Sequence, residues 1–586
     1  MTYVLKYKLF IAPITVPIHQ ITNSQYRVPD SAVIDVSTGQ TTAIDFLGGA
    51  SLGVTNPPEA TAELVKKSAP VFTSRTFNWR LANIVVYFST DGVNYYTAFA
   101  GFLESRTESM NSVKFSCKGY GELLKYYKYS TPLWRDKPVS TFIPDIPAAS
   151  STWSIATSGL WGQYAAAQDP TTLEGSFAGT VNTVFWLLGG RPYKYKDHYV
   201  NNDPVARFWY DCDHAPIVPK FTWLNQENIS SDLVSLVSAA GGQLLQTRTG
   251  ILKCINPHSF VPATNPTYTV NDSMFSTLTY DEDAAVGFSK VVVTFSPRYL
   301  GANKSVLDTP IGKYLPYNEE YTHEVELQQP VDRLTNNTYY GSGITFAQSG
   351  GYFGIDEFIE SRDFIKAVDY NGDTATVSLK IPQLSPLYFA KRKYTWTGDP
   401  ATSNWTYERD VTKTPGQFIK MIIKNRDAGR ALYLSKITLF GVPVVAGDAQ
   451  TLKQDVPLEF PDLINTGIIP SGLREARIQD NEYVQSRDQA QRLLDVVKYL
   501  HKRHRPVITI SNLVFNPTVG VGDIITVNSL TYDIINKKHK VTEVQVNKTG
   551  AYMNITCVDV SDIKTREEFF VVGETYAQNA TRYLSW

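Results

Sequence analysis

Cysteine is scarce in this chain. Only four occur in 586 residues, Cys117, Cys212, Cys254 and Cys557, and they stand far apart. No CxxC pair and no Cys/His ladder occurs, which argues against a disulfide scaffold and against a zinc-stapled module. The thiols read as small apolar core residues in a reduced compartment. No run of about eighteen apolar residues is present, so no helix is expected to cross a membrane. The first residues, Met1-Thr2-Tyr3-Val4-Leu5-Lys6, lack the basic-then-apolar form of a secretion signal. Folding is therefore expected in the cytoplasm where the chain is made. Charge of one sign is lacking too: 55 Lys and Arg stand against 56 Asp and Glu, a net charge of −1. That provides no general electrostatic grip on nucleic acid or anionic lipid. A Walker loop and an HExxH helix are missing, and Gly350 to Gly354 holds glycines without GxGxxG spacing. No cofactor, no metal and no catalytic residue is expected.

What is present is a β-rich texture. Hydrophobic residues make up 43% of the chain, with 35 tyrosines and 28 phenylalanines. Tyrosine-rich chains tend to have many strands and interfaces, and the length implies roughly three to five domains. Residues 1–125 read as β: a strand over Leu81–Phe88 turns at Asp91-Gly92 into Tyr95–Phe99. A second hairpin joins Phe102–Arg106 to Val113–Cys117, and Glu122-Leu123-Leu124 begins a short helix. Residues 126–225 are rich in Pro, Trp, Tyr and Ser and read as a small mixed α/β domain. Its one clear helix is capped by Thr180, carries Val181, Val184, Phe185 and Leu188 on one face, and ends at Gly189-Gly190.

Residues 226–305 open with a helix over Asp232–Ala240, capped by Ser230 or Ser231. Its face is Leu233, Leu236, Val237 and Ala240, and Gly241-Gly242 stops it. A hairpin follows, Gln243–Thr247 and Ile251–Ile255 about a turn ending in Gly250, and then a buried strand over Val291–Phe295. Residues 306–479 read as an inserted β-sandwich-like domain, with strand character at Tyr321–Leu327, Phe364–Asp369, Thr376–Ile381, Phe418–Lys424 and Leu432–Gly441. Asn371-Gly372 is a hairpin signal within it.

Residues 480–562 begin with an amphipathic helix whose buried face is Ala490, Leu493, Leu494, Val497 and Leu500. Ser486 and Gln489 have capping-box spacing. Lys498, His501, Lys502, Arg503, His504 and Arg505 suit the negative end of the helix dipole, and Pro506 forbids continuation. Strands follow at Val507–Leu513 and Ile524–Val527, the latter opened by a corner at Gly522-Asp523. A hairpin then joins Val541–Val546 to Tyr552–Val558 across Asn547-Lys548-Thr549-Gly550. Residues 563–586 form a charged, then aromatic, tail. No clear internal repeat is visible. The predicted fold class is mainly β with a few helices, a β-rich α+β chain in several domains.

Candidate chemical sites have plainer explanations. His501 and His504 stand three apart on a helix, half of a metal site, but no third ligand lies near in sequence and a basic helix end accounts for them. Asp211-Cys212-Asp213-His214 is denser, yet neighbours on an extended chain point to opposite faces. Glu319-Glu320, or Glu357 with Glu360, has the residue type of a glycosidase pair, which needs carboxylates held roughly 5–10 Å apart across a sugar; solvated acids explain both pairs. The structural turn residues Gly241, Gly242, Gly250, Gly522 and Asp523 carry the strongest local signals.

Three separated blocks resemble one family. The first is Phe99-Ala100-Gly101-Phe102-Leu103 with Val113-Lys114-Phe115-Ser116-Cys117 and Leu123-Leu124. The second runs from Asp232-Leu233 through Ala239-Ala240-Gly241-Gly242 to Gly250-Ile251-Leu252. The third is the helix after Ser486 followed by Val519-Gly520-Val521-Gly522-Asp523-Ile524-Ile525-Thr526-Val527. In this order they resemble phage tail hub proteins, of the baseplate hub or tail-tip hub family. The resemblance covers most of the chain and leaves residues 306–479 as an insertion. It implies two hub-type β barrels per chain, one in residues 1–125 and one built from 226–305 and 480–562. It also implies a non-enzymatic trimer at the virion's tail tip, whose six barrels adapt a hexameric distal tail or tail tube protein. The implied partners are the tape-measure protein in the lumen, tail fibre or tip proteins, and DNA that passes without specific binding. Two other classes remain open. A receptor-binding or carbohydrate-binding tail protein is suggested by Tyr394-Thr395-Trp396 and Asn404-Trp405-Thr406-Tyr407, and a cell-wall hydrolase is the third reading.

Overall fold

A computed structural model of the chain describes residues 6–41, 57–125, 133–140, 179–193, 207–213, 218–224, 229–255, 268–281, 290–316, 319–334, 343–348, 351–354, 358–359, 364–365, 375–380, 394–396, 416–425, 432–455, 475–478, 481–501, 506–547 and 552–561. The chain is mostly strand with few helices, as its composition predicts. No described helix is long and apolar enough to cross a membrane.

The first β unit is built from β1 (Lys6–Ala12), β2 (Val33–Thr41), β3 (Glu59–Val65), β4 (Asn83–Ser89), β5 (Tyr96–Glu108) and β6 (Ser112–Gly119). They lie in the order β2-β3-β6-β5-β4-β1. Strict alternation in β3 puts Ala60, Ala62 and Leu64 into the core, the period-two pattern of a sheet with one buried face. The sequence predicts two strands where β5 is one. Gly101 does not break it: a Cβ there would lie 2.1 Å from the carbonyl oxygen of Lys118, so the glycine permits close approach of β6. The bend falls later, where the register with β6 shifts between Leu103 and Ser105 and leaves Glu104 as a bulge.

The middle of the chain supplies β7 (Trp134–Arg135), α1 (Thr180–Leu187), β8 (Gly190–Pro192), β9 (Phe208–Cys212), β10 (Phe221–Thr222), α2 (Ile229–Ala239), β11 (Gln243–Gln246) and β12 (Ile251–Ile255). The hairpin β11–β12 extends a four-stranded sheet in the order β11-β12-β9-β8. Both helices start earlier than predicted. Gly179 accepts the Thr183 amide as the cap of α1 while the Thr180 amide donates to Pro138, so Thr180 is the first helical residue and not the cap. In α2 the first turn is anchored by fully buried Ile229, which leaves Ser230 and Ser231 inside the helix.

The chain continues through β13 (Tyr268–Asn271), β14 (Thr277–Asp281), β15 (Lys290–Phe295), β16 (Glu320–Leu334), β17 (Gly416–Asn425), β18 (Leu432–Ala446), β19 (Gln450–Asp455) and β20 (Glu475–Ile478). Both β17 and β18 pair with β16 in a nine-stranded sheet. A further strand at Ala375–Lys380 pairs with β17, whereas Asn371-Gly372 lies outside the described residues. β15 is held between β19 and β20. The last helix is α3 (Arg487–His501). Its predicted face, Ala490, Leu493, Leu494 and Val497, is buried in one core with the faces of α1 and α2; the Leu500 side chain lies outside the described set. The capping box forms with one change. The Gln489 amide donates to Ser486 Oγ at 3.2 Å, but Gln489 Oε1 accepts the amide of Gln485 at 2.7 Å, one residue before the position expected.

Four strands complete the chain: β21 (Val507–Val514), β22 (Ile524–Ser529), β23 (Ile534–Asn547) and β24 (Tyr552–Asp559). With β13 and β14 they form a second unit in the order β14-β21-β24-β23-β22-β13. This repeats the first unit both in sheet order and in chain order. The registers coincide. Leu103 opposite Cys117 matches Val541 opposite Cys557, and the bulge at Glu104 matches one at Thr542. Ala60 opposite Cys117 matches Ile508 opposite Cys557, and Asn83 opposite Phe102 matches Ile524 opposite Lys540. One strand departs: β1 runs antiparallel to β4, whereas β13 runs parallel to β22. The chain thus contains an internal repeat that its sequence does not show. Neither unit closes into a barrel among the described residues; the strand path is open.

Candidate functional site

The two units meet edge to edge. β2 pairs antiparallel with β23, with Ser37 opposite Asn547, Gly39 opposite Gln545 and Thr41 opposite Glu543. That seam merges both units into one thirteen-stranded sheet. The β11–β12 hairpin wedges against the seam and touches both units.

Gln246 at the end of β11 fastens the wedge to the first unit. Its Nε2 donates to the Ala100 carbonyl at 3.0 Å, its Oε1 accepts the Gly121 amide at 2.8 Å, and its own carbonyl accepts from the Gln40 side chain on β2. Gly250 sits at φ +83°, where a Cβ would be 2.9 Å from Ala100 Cβ and 3.1 Å from the Tyr120 ring. The hairpin turn is therefore both left-handed and tight against β5, two reasons for glycine. Gly241 at φ +69° and Gly242 end α2, their amides donating to Ser238 and Val237, and so aim the wedge.

The second unit meets the wedge at the Gly522-Asp523 corner. Gly522 has φ +92°, and a Cβ would lie 3.1 Å from Leu245 Cδ2 on β11. Its amide donates to Val541 at 2.8 Å, and Asp523 Oδ2 accepts the Gly520 amide at 2.7 Å, closing the corner on itself. Burial raises the Asp523 carboxyl above its ordinary range, against the Gly520 hydrogen bond and the charges of Arg248, Lys253 and Lys540. Lys540, only 1% exposed, is pushed down to about 7 by burial, with Asp523 and Asp213 opposing. Burial also lowers Arg248, with Asp523 opposing. The arrangement is a buried cluster of opposite charges where three parts of the chain meet.

Gly241, Gly242, Gly250, Gly522 and Asp523 thus lie on or beside this junction. Gln246, Arg248 and Lys540 belong to it and carry no motif. Within Lys537-Lys538-His539-Lys540, His539 and Lys540 are both buried. The remaining candidates do not converge. Asp211 reaches Lys253 at 3.4 Å while Cys212 points into the core, and His214 and His504 lie outside the described residues. The side chain of His501, and Glu357 and Glu360, lie outside them too. Among the described residues no three His, Cys, Asp or Glu side chains are grouped to hold a metal. The sequence also contains a Gly-x-Ser-x-Gly spacing, Gly49-Ala50-Ser51-Leu52-Gly53, outside the described residues.

Solved structures similar to this chain over nearly its whole length are phage tail proteins. Prophage tail protein gp18 of Listeria monocytogenes matches 94% of this chain and 95% of its own, at 7% identity and a TM-score of 0.36. A tail protein of Neisseria meningitidis matches 95% and 97%, at 7% identity and a TM-score of 0.37. The 43 kDa tail protein of prophage MuSo2 from Shewanella oneidensis matches 94% and 98%, at 7% identity and a TM-score of 0.36. Likeness at this level gives no residue a role. No protein-family model and no curated protein matches the chain.

Proposed function

We propose that this chain is a structural protein of a phage tail, the central hub at the distal end of the tail tube. The observation that carries the reading is the duplicated β unit joined at the β2–β23 seam. A chain that holds two equivalent units side by side presents six around an axis when three copies assemble, which matches a hexameric tube or distal tail protein with a trimeric tip. The Gly522-Asp523 corner and the Gln246 wedge then serve a structural role, fixing the angle between two units whose repetition sets a ring's curvature. In this reading residues 6–119 form one hub unit, residues 268–281 with 507–559 form the other, and the helical core braces them. Residues 306–479 are an insertion. The tape-measure protein occupies the lumen before DNA passes, and the hub has no enzymatic activity.

Electron microscopy of the particle with this chain labelled tests the proposal. The expected result is density on the tail axis at the distal end of the tube. Label confined to peripheral fibres, together with a stable monomer that binds host polysaccharide, establishes the receptor-binding alternative instead. Peptidoglycan clearing by the isolated chain overturns the non-enzymatic reading.

A further inference from the structure

We propose that Cys212 and Cys254 are a redox pair: a dithiol in a reducing compartment, and a disulfide between β9 and β12 once the chain meets an oxidising one. The proposal is independent of the hub reading, and no outcome of its test bears on that reading.

The register brings the two thiols together. β9 and β12 run parallel, and Cys212 is the direct partner of Cys254. Neighbouring strands lie about 4.8 Å apart, inside the Cα separation of roughly 4.4–6.8 Å that a disulfide spans. Direct partners point to the same face of a sheet, and both side chains are buried in one core, 1% and 2% exposed. The preceding pair holds that register from the opposite face, where Lys253 Nζ reaches Asp211 Oδ2 at 3.4 Å. Cys254 Sγ donates to Ser140 Oγ at 3.5 Å, and the Ser140 hydroxyl donates to the Asp213 carbonyl at 2.6 Å. Loss of the thiol proton therefore strands no polar group, because Ser140 keeps its bond to Asp213. Burial raises the Cys212 thiol, and Cys254 is the next cause, as adjacent sulfurs require.

The other two cysteines are built-in controls. Cys117 and Cys557 are as deeply buried, but each stands in its own unit with apolar partners: Ala60 and Leu103 for the first, Ile508 and Val541 for the second. Burial is common to all four thiols, and proximity belongs to one pair. The segment between Cys212 and Cys254 carries β10, α2 and β11, which includes the strand of the wedge that fastens both units. A disulfide that closes this loop restricts its opening.

The oxidant is a small disulfide, with glutathione disulfide as the probe. A cysteine thiolate, reached through local opening of the sheet, attacks it and releases one glutathione thiol. The second cysteine attacks the mixed disulfide and releases the other. Two cysteine S–H bonds are lost and one S–S bond forms, while the reagent is reduced to two thiols that take up the protons.

The test incubates the reduced full chain with excess glutathione disulfide, alkylates the remaining thiols in denaturant and maps the peptides. The expected result is alkylated Cys117 and Cys557 with a cross-link joining Cys212 to Cys254, reversed by dithiothreitol. Three results overturn the proposal: four alkylated thiols after incubation up to the onset of unfolding, a glutathione adduct that persists on Cys212 or Cys254 without closing, or disulfides that recruit Cys117 or Cys557 equally. As a second measurement, amide exchange in α2 and β11 is expected to be about tenfold slower in the oxidised chain than in the reduced one, and unchanged in β3 and β21. The Cys254→Ala chain, treated in the same way, shows no such slowing. Equal exchange in the two forms of the native chain overturns the fastening of the wedge.

Discussion

Lys540 loses its hydration on folding. A buried ammonium is costly, and here burial outweighs Asp523 and Asp213, so the side chain titrates near 7 in the folded protein against 10.5 ordinarily. Between those values the unfolded chain binds more protons, so stability rises with pH through the window. Lys137, which donates to Thr183 and is also held near 7 by burial, acts in the same direction. The buried thiols act oppositely. Burial raises Cys254 to about 12 and pushes Cys117 and Cys557 up as well, which costs stability once unfolded thiols ionise above about pH 8.5. The urea midpoint is therefore expected to rise from pH 7 to 8.5, by up to a few kcal/mol in stability. Lys540→Met is expected to flatten that rise without abolishing it, since Lys137 remains. A midpoint that falls over this interval in the native chain contradicts the assignment.

Gln246 and Gly522 give sharper tests at the same scale. Gln246→Leu strands the Gly121 amide and the Ala100 carbonyl, each a loss of about 1–3 kcal/mol when buried. Gly522→Ala forces a side chain to φ +92° and against Leu245, for about 1–3 kcal/mol. Both losses are read as shifts in denaturant midpoint. The two residues differ in how far the sequence reveals them. Gly522 is legible as a turn, because Gly-Asp before an apolar alternating run is a local signal. Gln246 is not, because what it fastens lies 125 and 146 residues away.

Elements were legible where their cause is local. The faces of α1, α2 and α3 follow from apolar spacing alone, and the alternating strands follow from period two. Local pattern does not settle the structure where a neighbour decides. β5 runs through Gly101 because β6 approaches it, and the cap of α1 moved because Pro138 takes the Thr180 amide. The α3 cap offers a graded prediction. Ser486→Ala removes one hydrogen bond to the Gln489 amide and is expected to cost about 1 kcal/mol. Gln489→Ala removes its bonds to the Gln485 amide and the Val218 carbonyl, the first of them buried, and is expected to cost more, about 2 kcal/mol. Equal thermal shifts for the two variants contradict this one-residue shift of the capping box.

At the scale of the whole molecule the duplication is the largest feature that the sequence conceals. Across Phe102–Glu108 with Lys540–Val546, and Val113–Gly119 with Met553–Asp559, only Cys117 and Cys557 are identical. What persists is register and bulge position, which depend on hydrogen-bond geometry and tolerate almost any side chain that keeps the buried face apolar. The nine-stranded sheet meets this body at β7 and β10. Arg135 on β7 grips buried Asp332 on β16 through two nitrogens, and Trp223 Nε1 donates to Gln417 on β17 at 3.1 Å. Leu133, Phe221, Trp223 and Val444 pack beside them as a separate small core. A joint so confined should open locally, below the free energy of global unfolding. Asp332→Ala is therefore expected to speed amide exchange in β7, β10 and the ends of β16 and β18 nearest the joint. Exchange in β3, β6, β21 and β24 stays as in the native chain. Uniform acceleration across both β units means that the nine-stranded sheet is an integral brace of those units and not an appended module.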